Sequence, residues 1–325
     1  MTDRAARVGR LRGAGSWVAA RLLLLGVAVL QRLPDGPVYR VGFWAGAAAS
    51  RCMRGRRALV RANLARVCRS LQDAGHASPR VAAAARDGRA LDVLVRDVFG
   101  HWFVSYLEGA IAPRYDAASV QRRVRLADPV LTATALAPVP AGAPGPIFTG
   151  LHLGSVEMAG MYAARLGSMR IAGPMERVGN PILADYFQRT RGAIGFDLIP
   201  IRDASAELRA RIRRGEGAAL VADRPIGGAG TGVRLFGATC RLPAGPSVLA
   251  LETGAPLYVL AVLRDRAGGW VGHIERIDVP TSGSRRDRAR ATIDLQARAF
   301  ERLIARAPEQ WWTLLFRIWE DIPPA

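Results

Sequence analysis

The sequence predicts an α/β domain with a largely parallel sheet flanked by helices, preceded by a helical, basic, membrane-associating N-terminal extension. Three observations carry this: strand-length apolar runs alternate with helical stretches after residue 146, a Pro/Gly-rich segment sets that region off, and arginine is concentrated in the first seventy residues. Half of the 325 residues are apolar, enough for one large core. The chain divides into a basic-apolar membrane-associating region (1–70), a helical segment packed on the core (71–145) and an α/β core (146–325).

The first zone holds fourteen arginines against Asp3 and Asp35, in a chain of net charge +19. All 46 basic residues are arginine. The absence of lysine excludes P-loop nucleotide binding, pyridoxal Schiff-base chemistry and the kinase nucleotide lysine. An anionic partner is expected, and Trp17 to Ala20 with the unbroken apolar run Leu22 to Leu30 suit a membrane surface rather than nucleic acid. Nine residues fall short of the roughly twenty needed to span hydrocarbon, so an interfacial helix is expected, with a buried core helix as the competing reading. Gln31-Arg32-Leu33-Pro34-Asp35 stands where a signal peptide would carry its small-residue cleavage site, so the segment is expected to be retained. Three cysteines without CxxC spacing and four scattered histidines support neither a disulfide framework nor a zinc site; no metal and no cofactor are expected. The expected place is the cytoplasmic face of the inner membrane, peripheral or on a single N-terminal anchor.

In the second zone, Leu91, Leu94, Val95, Val98, Trp102, Phe103 and Tyr106 recur at helical spacing across residues 88–111. Most of that stripe reads as core, and its aromatic end also suits the wall of an apolar groove. The loop Ala137 to Pro146 opens the third zone. Strands are expected at Ile147–Leu151, Met169–Ala172, Leu198–Ile201, Ala218–Ala222, Val233–Phe236 and Leu257–Leu263, with helices at 155–166, 180–193, 203–214 and 245–253. Ligands of such a sheet bind beyond the carboxyl ends of its strands, which points to His152.

His152 is followed at the fifth position by Glu157. On a regular helix the two would diverge by roughly 140°, so they meet only if His152 precedes the helix, a turn for which Gly150 and Gly154 provide freedom. Imidazole titrates near neutrality and suits a general base that removes a hydroxyl proton; a carboxylate on its other nitrogen fixes the tautomer. A hydrogen-bonded histidine at a strand end is the competing reading. The glycines from Gly227 to Gly232 miss the dinucleotide-binding register, since Val233 stands where the third glycine belongs, and read as a flexible loop. No GxSxG nucleophile elbow is present.

Further motifs follow in order: Glu176-Arg177-Val178-Gly179-Asn180-Pro181, Ala222-Asp223-Arg224, Leu235-Phe236-Gly237, Ala244-Gly245-Pro246 and the ending Pro308-Glu309-Gln310-Trp311-Trp312. Together with His152 and Glu157, this order resembles the bacterial acyltransferases that include the lipid A lauroyl and myristoyl transferases and the phosphatidylinositol mannoside acyltransferase. The resemblance covers about residues 146 to 320. Asp223-Arg224 replaces the Asp-Gln usual in the lipid A branch and looks more like the mannoside-acylating one. The resemblance implies a glycerol-phosphate-acyltransferase-like fold and transfer of a fatty acyl chain from acyl-CoA or acyl carrier protein to a hydroxyl of a membrane glycolipid. His152 is then the base and Glu157 its orienting carboxylate. Arg177 and Arg224 handle phosphate or the developing oxyanion, or else form structural ion pairs. Asp223 orients an arginine or a sugar hydroxyl, or sits in a buried ion pair, while Asn180 and Glu176 are further substrate-binding candidates. A lysophospholipid or glycerol-phosphate acyltransferase, and a non-catalytic basic lipid- or nucleic-acid-binding protein, are the alternatives.

Overall fold

Residue-level chemistry sets the early boundaries. Ser78 accepts the Val81 N–H and Pro79 fills the first helical position, starting one helix; Asp87 ends it and accepts the Ala90 N–H at 2.9 Å to start the next. The computed structural model describes residues 17–176, 178–192, 195–225, 230–265 and 267–324. Five helices come first: α1 (17–30), α2 (Asp35–Ala49), α3 (Arg54–Asp73), α4 (Pro79–Arg86) and α5 (Gly88–Ile111). Helix α2 lies close along α5: a Cβ on Gly46 would meet Phe99 O at 2.5 Å, and one on Gly100 would meet the Phe43 ring at 2.6 Å. Small residues at both positions permit that approach.

Strands β1 (Val124–Leu126), β2 (Ile147–Gly154), β3 (Ile171–Met175), β4 (Phe196–Pro200), β5 (Gly217–Val221), β8 (Leu257–Arg264) and β9 (Trp270–Ile277) make one sheet in the order β1-β9-β8-β2-β5-β3-β4. Its pairings are parallel except β8–β9, which is antiparallel. Helices α6 (Ala117–Arg123), α7 (Pro129–Ala135), α8 (Val156–Leu166), α9 (Pro181–Gly192), α10 (Ala204–Arg213), α11 (Gly245–Thr253) and α12 (Arg285–Arg306) complete the chain. The central strand β2 is largely buried, as its apolar run requires of a parallel strand covered on both faces. One buried cluster joins Leu64 of α3, Leu94 of α5, Leu153 of β2, Phe300 of α12 and Trp311, so residues of all three zones share a core.

The expected α/β architecture with its largely parallel sheet and N-terminal helical region is present. Several expectations differ in detail. Strand β3 starts two residues later than Met169. The Val233–Phe236 run belongs outside the main sheet: β6 (Thr231–Leu235) and β7 (Ala238–Leu242) form a separate antiparallel hairpin. Its two-residue turn, Phe236 and Gly237, has φ of 49° and 76°, the geometry that matches strand twist. Phe236 tolerates the left-handed conformation because its ring is buried and its N–H is taken by the Glu301 carboxylate. Strands β1 and β9 escaped reading, β1 because it is only three residues long and β9 because Glu275 and Arg276 interrupt its apolar pattern.

Helix α1 is not a core helix. Within 17–30 only Ala20 is buried, and Leu22, Leu25 and Val29 are at least half exposed. Among the described residues no helix is long and apolar enough to cross a membrane. The arginines before Trp17 lie outside the described residues.

Candidate active site

Strand β2 departs from regular pairing just where His152 stands. Gly150 pairs with Leu260 of β8, but the next pairing is Gly154 with Val262, so four residues of β2 span two of β8. Such a bulge re-aims the side chains it carries. Gly154, at φ 64°, closes it: a Cβ there would meet Val262 O at 2.1 Å, so only glycine fits. Gly150 keeps regular register, and its Cβ would meet nothing closer than 3.7 Å. Of the two glycines expected to free the turn, Gly154 does so. Ser155 then caps α8 by accepting the Met158 N–H.

Strand β5 lies beside β2 in parallel, so Asp223, two residues past its end, reaches the same lip of the sheet. His152 Nδ1 is 2.7 Å from Asp223 Oδ1, and the His152 backbone N–H donates to Asp223 Oδ2 at 3.0 Å. Trp311 Nε1–H and the Thr313 hydroxyl also donate to Oδ2, at 2.8 and 2.6 Å. The Asp223 side chain is 1% exposed and the imidazole 21%. Burial pushes the Asp223 carboxyl upward, but the His152 ring and the Thr313 and Trp311 donors outweigh it and hold the carboxyl below its usual range. With Asp223 ionised, Nδ1 carries the proton and Nε2 is the free acceptor. The Trp312 ring packs against the imidazole at 4.2 Å between centroids.

A cavity of about 500 Å³ runs from His152 along the sheet. Phe148, Ile171, Phe196, Ala219 and Leu260 give it apolar walls, and the charged groups Glu157, Glu176, Arg191 and Arg224 also line it. Trp102, Phe103 and Tyr106 of α5 are not among its lining residues, so the aromatic end of that helix is not its wall; Phe103 and Tyr106 are exposed instead.

The carboxylate on the imidazole is Asp223, not Glu157. Glu157, in the first turn of α8, accepts both arms of the Arg191 guanidinium at 3.0 and 2.5 Å. Burial pushes its carboxyl upward; Arg191 opposes that, and the nearby Glu108 charge adds to it. Starting a new helix at Ser155 turns Glu157 toward α9 and away from the strand that carries His152. Asn180 caps α9, its side-chain oxygen accepting the N–H groups of Ile182 and Leu183. Arg224 lies 3.6 Å from Glu176 and over the Phe316 ring at 4.4 Å, and among the described residues its buried Nε has no hydrogen-bond partner. Arg177 and residues 227–229 of the glycine loop lie outside the described residues. Among the described residues no cluster of His, Cys, Asp or Glu could hold a metal ion.

Sequence reasoning missed Arg191, Thr313 and the pairing of Asp223 with His152. The last had a signal: an acidic residue after one apolar strand and a histidine at the end of another converge if those strands are neighbours.

Residues 112–320 match the model of the bacterial lipid A biosynthesis acyltransferase family. The chain belongs to this family. The match takes in the bulged strand, Asp223 and the C-terminal donors that hold it. The chain is also similar to the phosphatidylinositol mannoside acyltransferase of Mycobacterium tuberculosis, 34% identical over 111 residues, which cover 33% of this chain and 34% of that protein. The protein of the same name in Mycolicibacterium smegmatis is 32% identical over 115 residues, 33% of this chain and 36% of its own length. The similarity thus spans about a third of these curated relatives.

Proposed function

We propose that this member of the family transfers a fatty acyl chain from a thioester donor, acyl-CoA or acyl carrier protein, to a hydroxyl of a membrane glycolipid. The observation that carries this reading is the His152–Asp223 pair at the lip of an apolar cavity. His152 Nε2 takes the acceptor hydroxyl proton as that oxygen attacks the thioester carbonyl. Asp223 stabilises the imidazolium that forms. As the tetrahedral intermediate collapses, the C–S bond breaks and the imidazolium returns the proton to the departing thiolate. No acyl-enzyme and no cofactor is required.

The cavity suits the acyl chain, because each methylene moved from water into it contributes about 0.8 kcal/mol. Arg224, whose Nε–H has no partner among the described residues and whose ionic partner is distant, suits an anionic group of donor or acceptor. Glu176, 3.6 Å from Arg224, is the candidate for a sugar hydroxyl, and Arg177 is assigned to the same anionic groups as Arg224 on the family pattern. The named relatives make a phosphatidylinositol mannoside the first acceptor to try.

The N-terminal helices supply the surface. Trp17, Leu22, Leu25, Val29, Val41 and Trp44 are exposed together with Arg21, Arg32 and Arg40, a combination that fits the interface of an anionic membrane. Gln31 ties this surface to the site, donating to Ala110 O at 2.7 Å beside Gly109, which lies against Glu157. The reading places the protein on the cytoplasmic face, where thioester donors are available.

The test is direct. Purified protein is incubated with palmitoyl-CoA and a phosphatidylinositol mannoside in mixed micelles, and the product is read by mass spectrometry. Wild type is expected to add one acyl mass and His152→Ala to lose about 10²- to 10⁴-fold in rate. Full activity in His152→Ala overturns the mechanism.

A further inference from the structure

Residues 311–313 contact both members of the His152–Asp223 pair from a part of the chain far from either. Three donors converge on one oxygen: the His152 backbone N–H, the Trp311 indole N–H and the Thr313 hydroxyl all reach Asp223 Oδ2. A carboxylate oxygen with three donors fixes the plane of the group, which leaves Oδ1 turned to His152 Nδ1. The Trp312 ring meanwhile packs on the imidazole itself.

This segment has anchors of its own. Leu153, next to His152, forms an isolated antiparallel bridge with Trp311. The Gln310 side chain makes reciprocal bonds with the Arg264 backbone, accepting its N–H at 2.9 Å and donating to its carbonyl at 3.0 Å. From the other side Asn63 of α3, fully buried, donates to Leu314 O and Phe316 O, each at 2.8 Å. The backbone that carries Trp311 and Thr313 is therefore held between the sheet and the N-terminal helices.

We infer that Thr313, with Trp311, is a positioning residue: it orients the Asp223 carboxylate so that Oδ1 holds the proton of His152 on Nδ1 and keeps Nε2 as the base. The inference rests on the general-base reading above. It adds that the tautomer of His152 is set from the C-terminal segment. Thr313 touches no reacting atom and acts through Asp223 alone.

Thr313→Val conserves shape and removes one charge-assisted bond, while Trp311 and the backbone N–H remain. Expected is a fall in kcat of about 10- to 100-fold with KM changed less than about twofold, since the lost interaction serves the transition state and not substrate binding. Thr313→Ser, which keeps the hydroxyl, is expected to recover most of the rate. The decisive readout needs no substrate: 15N NMR of histidine-labelled protein, with His152 assigned by comparison with His152→Gln. Wild type and Thr313→Ser should show the proton on Nδ1, and Thr313→Val a larger fraction on Nε2. An unchanged tautomer and kcat in folded Thr313→Val overturn the inference while leaving the general-base reading intact. If His152→Ala transfers acyl groups as fast as wild type, the reading itself fails, whatever Thr313 does to the tautomer.

Discussion

Asp223 Oδ1 stands 2.7 Å from His152 Nδ1 although seventy-one residues separate them in sequence. Asparagine at 223 would accept from Thr313 and Trp311 with its oxygen and present an N–H to Nδ1, forcing the proton of the imidazole onto Nε2. Asp223→Asn is therefore expected to lower kcat/KM for acyl transfer by about 10³- to 10⁴-fold with the fold retained. Glu157→Gln, which touches Arg191 and not the imidazole, should cost less than about tenfold, below the range of a lost proton-transfer group. Parallel kinetics and thermal melts check both, and a reversed ranking would return Glu157 to the role that sequence spacing suggested.

The Glu157–Arg191 pair ties α8 to α9, a helix that contributes no fully buried residue. Each side chain is 23% exposed, so water screens part of the attraction. A double-mutant cycle with Glu157→Gln and Arg191→Gln should give a coupling of about 1 kcal/mol in unfolding free energy. A coupling near zero would show that α9 is held by its apolar contacts with β4 alone.

Most of the sheet was legible because its strands are nearly pure apolar runs bounded by glycine and proline, as with Ile147–Leu151 and Leu257–Leu263. Strands β1 and β9 were not, since β1 is three residues long and the adjacent Glu275 and Arg276 break the apolar run of β9. His152 was legible as a titratable group at a strand end in a plausible sheet. Its partner was not, because fixed sequence spacing favours local pairs such as His152 and Glu157, whereas strand adjacency decides which ends meet. Thr313 and Arg191 left no trace at all: each acquires its role only when residues more than thirty positions away fold against it.

Acid should weaken the fold through its half-buried histidines. Burial, aided by Arg306 and Arg125, lowers His273 from 6.5 to about 4, against an opposing pull from Glu275. Burial with the Arg264 and Arg80 charges holds His101 well below its usual value, and among the described residues its Nδ1 has no hydrogen-bond partner. Because the folded values are depressed, the unfolded chain binds more protons below pH 6.5. Stability is thus complete above that pH and declines as pH falls toward 4. Urea unfolding between pH 7 and 4.5 should show this slope, and His273→Gln should flatten it.

Membrane attachment is expected to depend on the exposed face of α1. Leu22→Asp with Leu25→Asp removes two side chains that are over 60% exposed and adds charge opposite to the flanking arginines. Flotation with vesicles rich in anionic lipid should drop at least about tenfold, since two leucines each contribute roughly 1.5 kcal/mol or more when buried. The melting temperature should not change. Binding that survives the pair but vanishes in high salt would mean that arginine, not the apolar face, dominates.

Acyl length should follow the free length of the cavity. Ala219, on β5, pairs with Phe148 of β2 and faces that space close to Phe148, Ile171 and Phe196, below the level of His152. Ala219→Leu would occupy part of the floor without touching the His152–Asp223 pair. The longest chains then lose their terminal methylenes to solvent, at about 0.8 kcal/mol or fourfold in kcat/KM for each. The preferred acyl-CoA should shift shorter by roughly the length of the added side chain, while the rate with short chains stays near wild type. Competition among acyl-CoA donors of graded length reads this as a moved optimum. A uniform loss at every length would instead place the acyl chain outside this cavity.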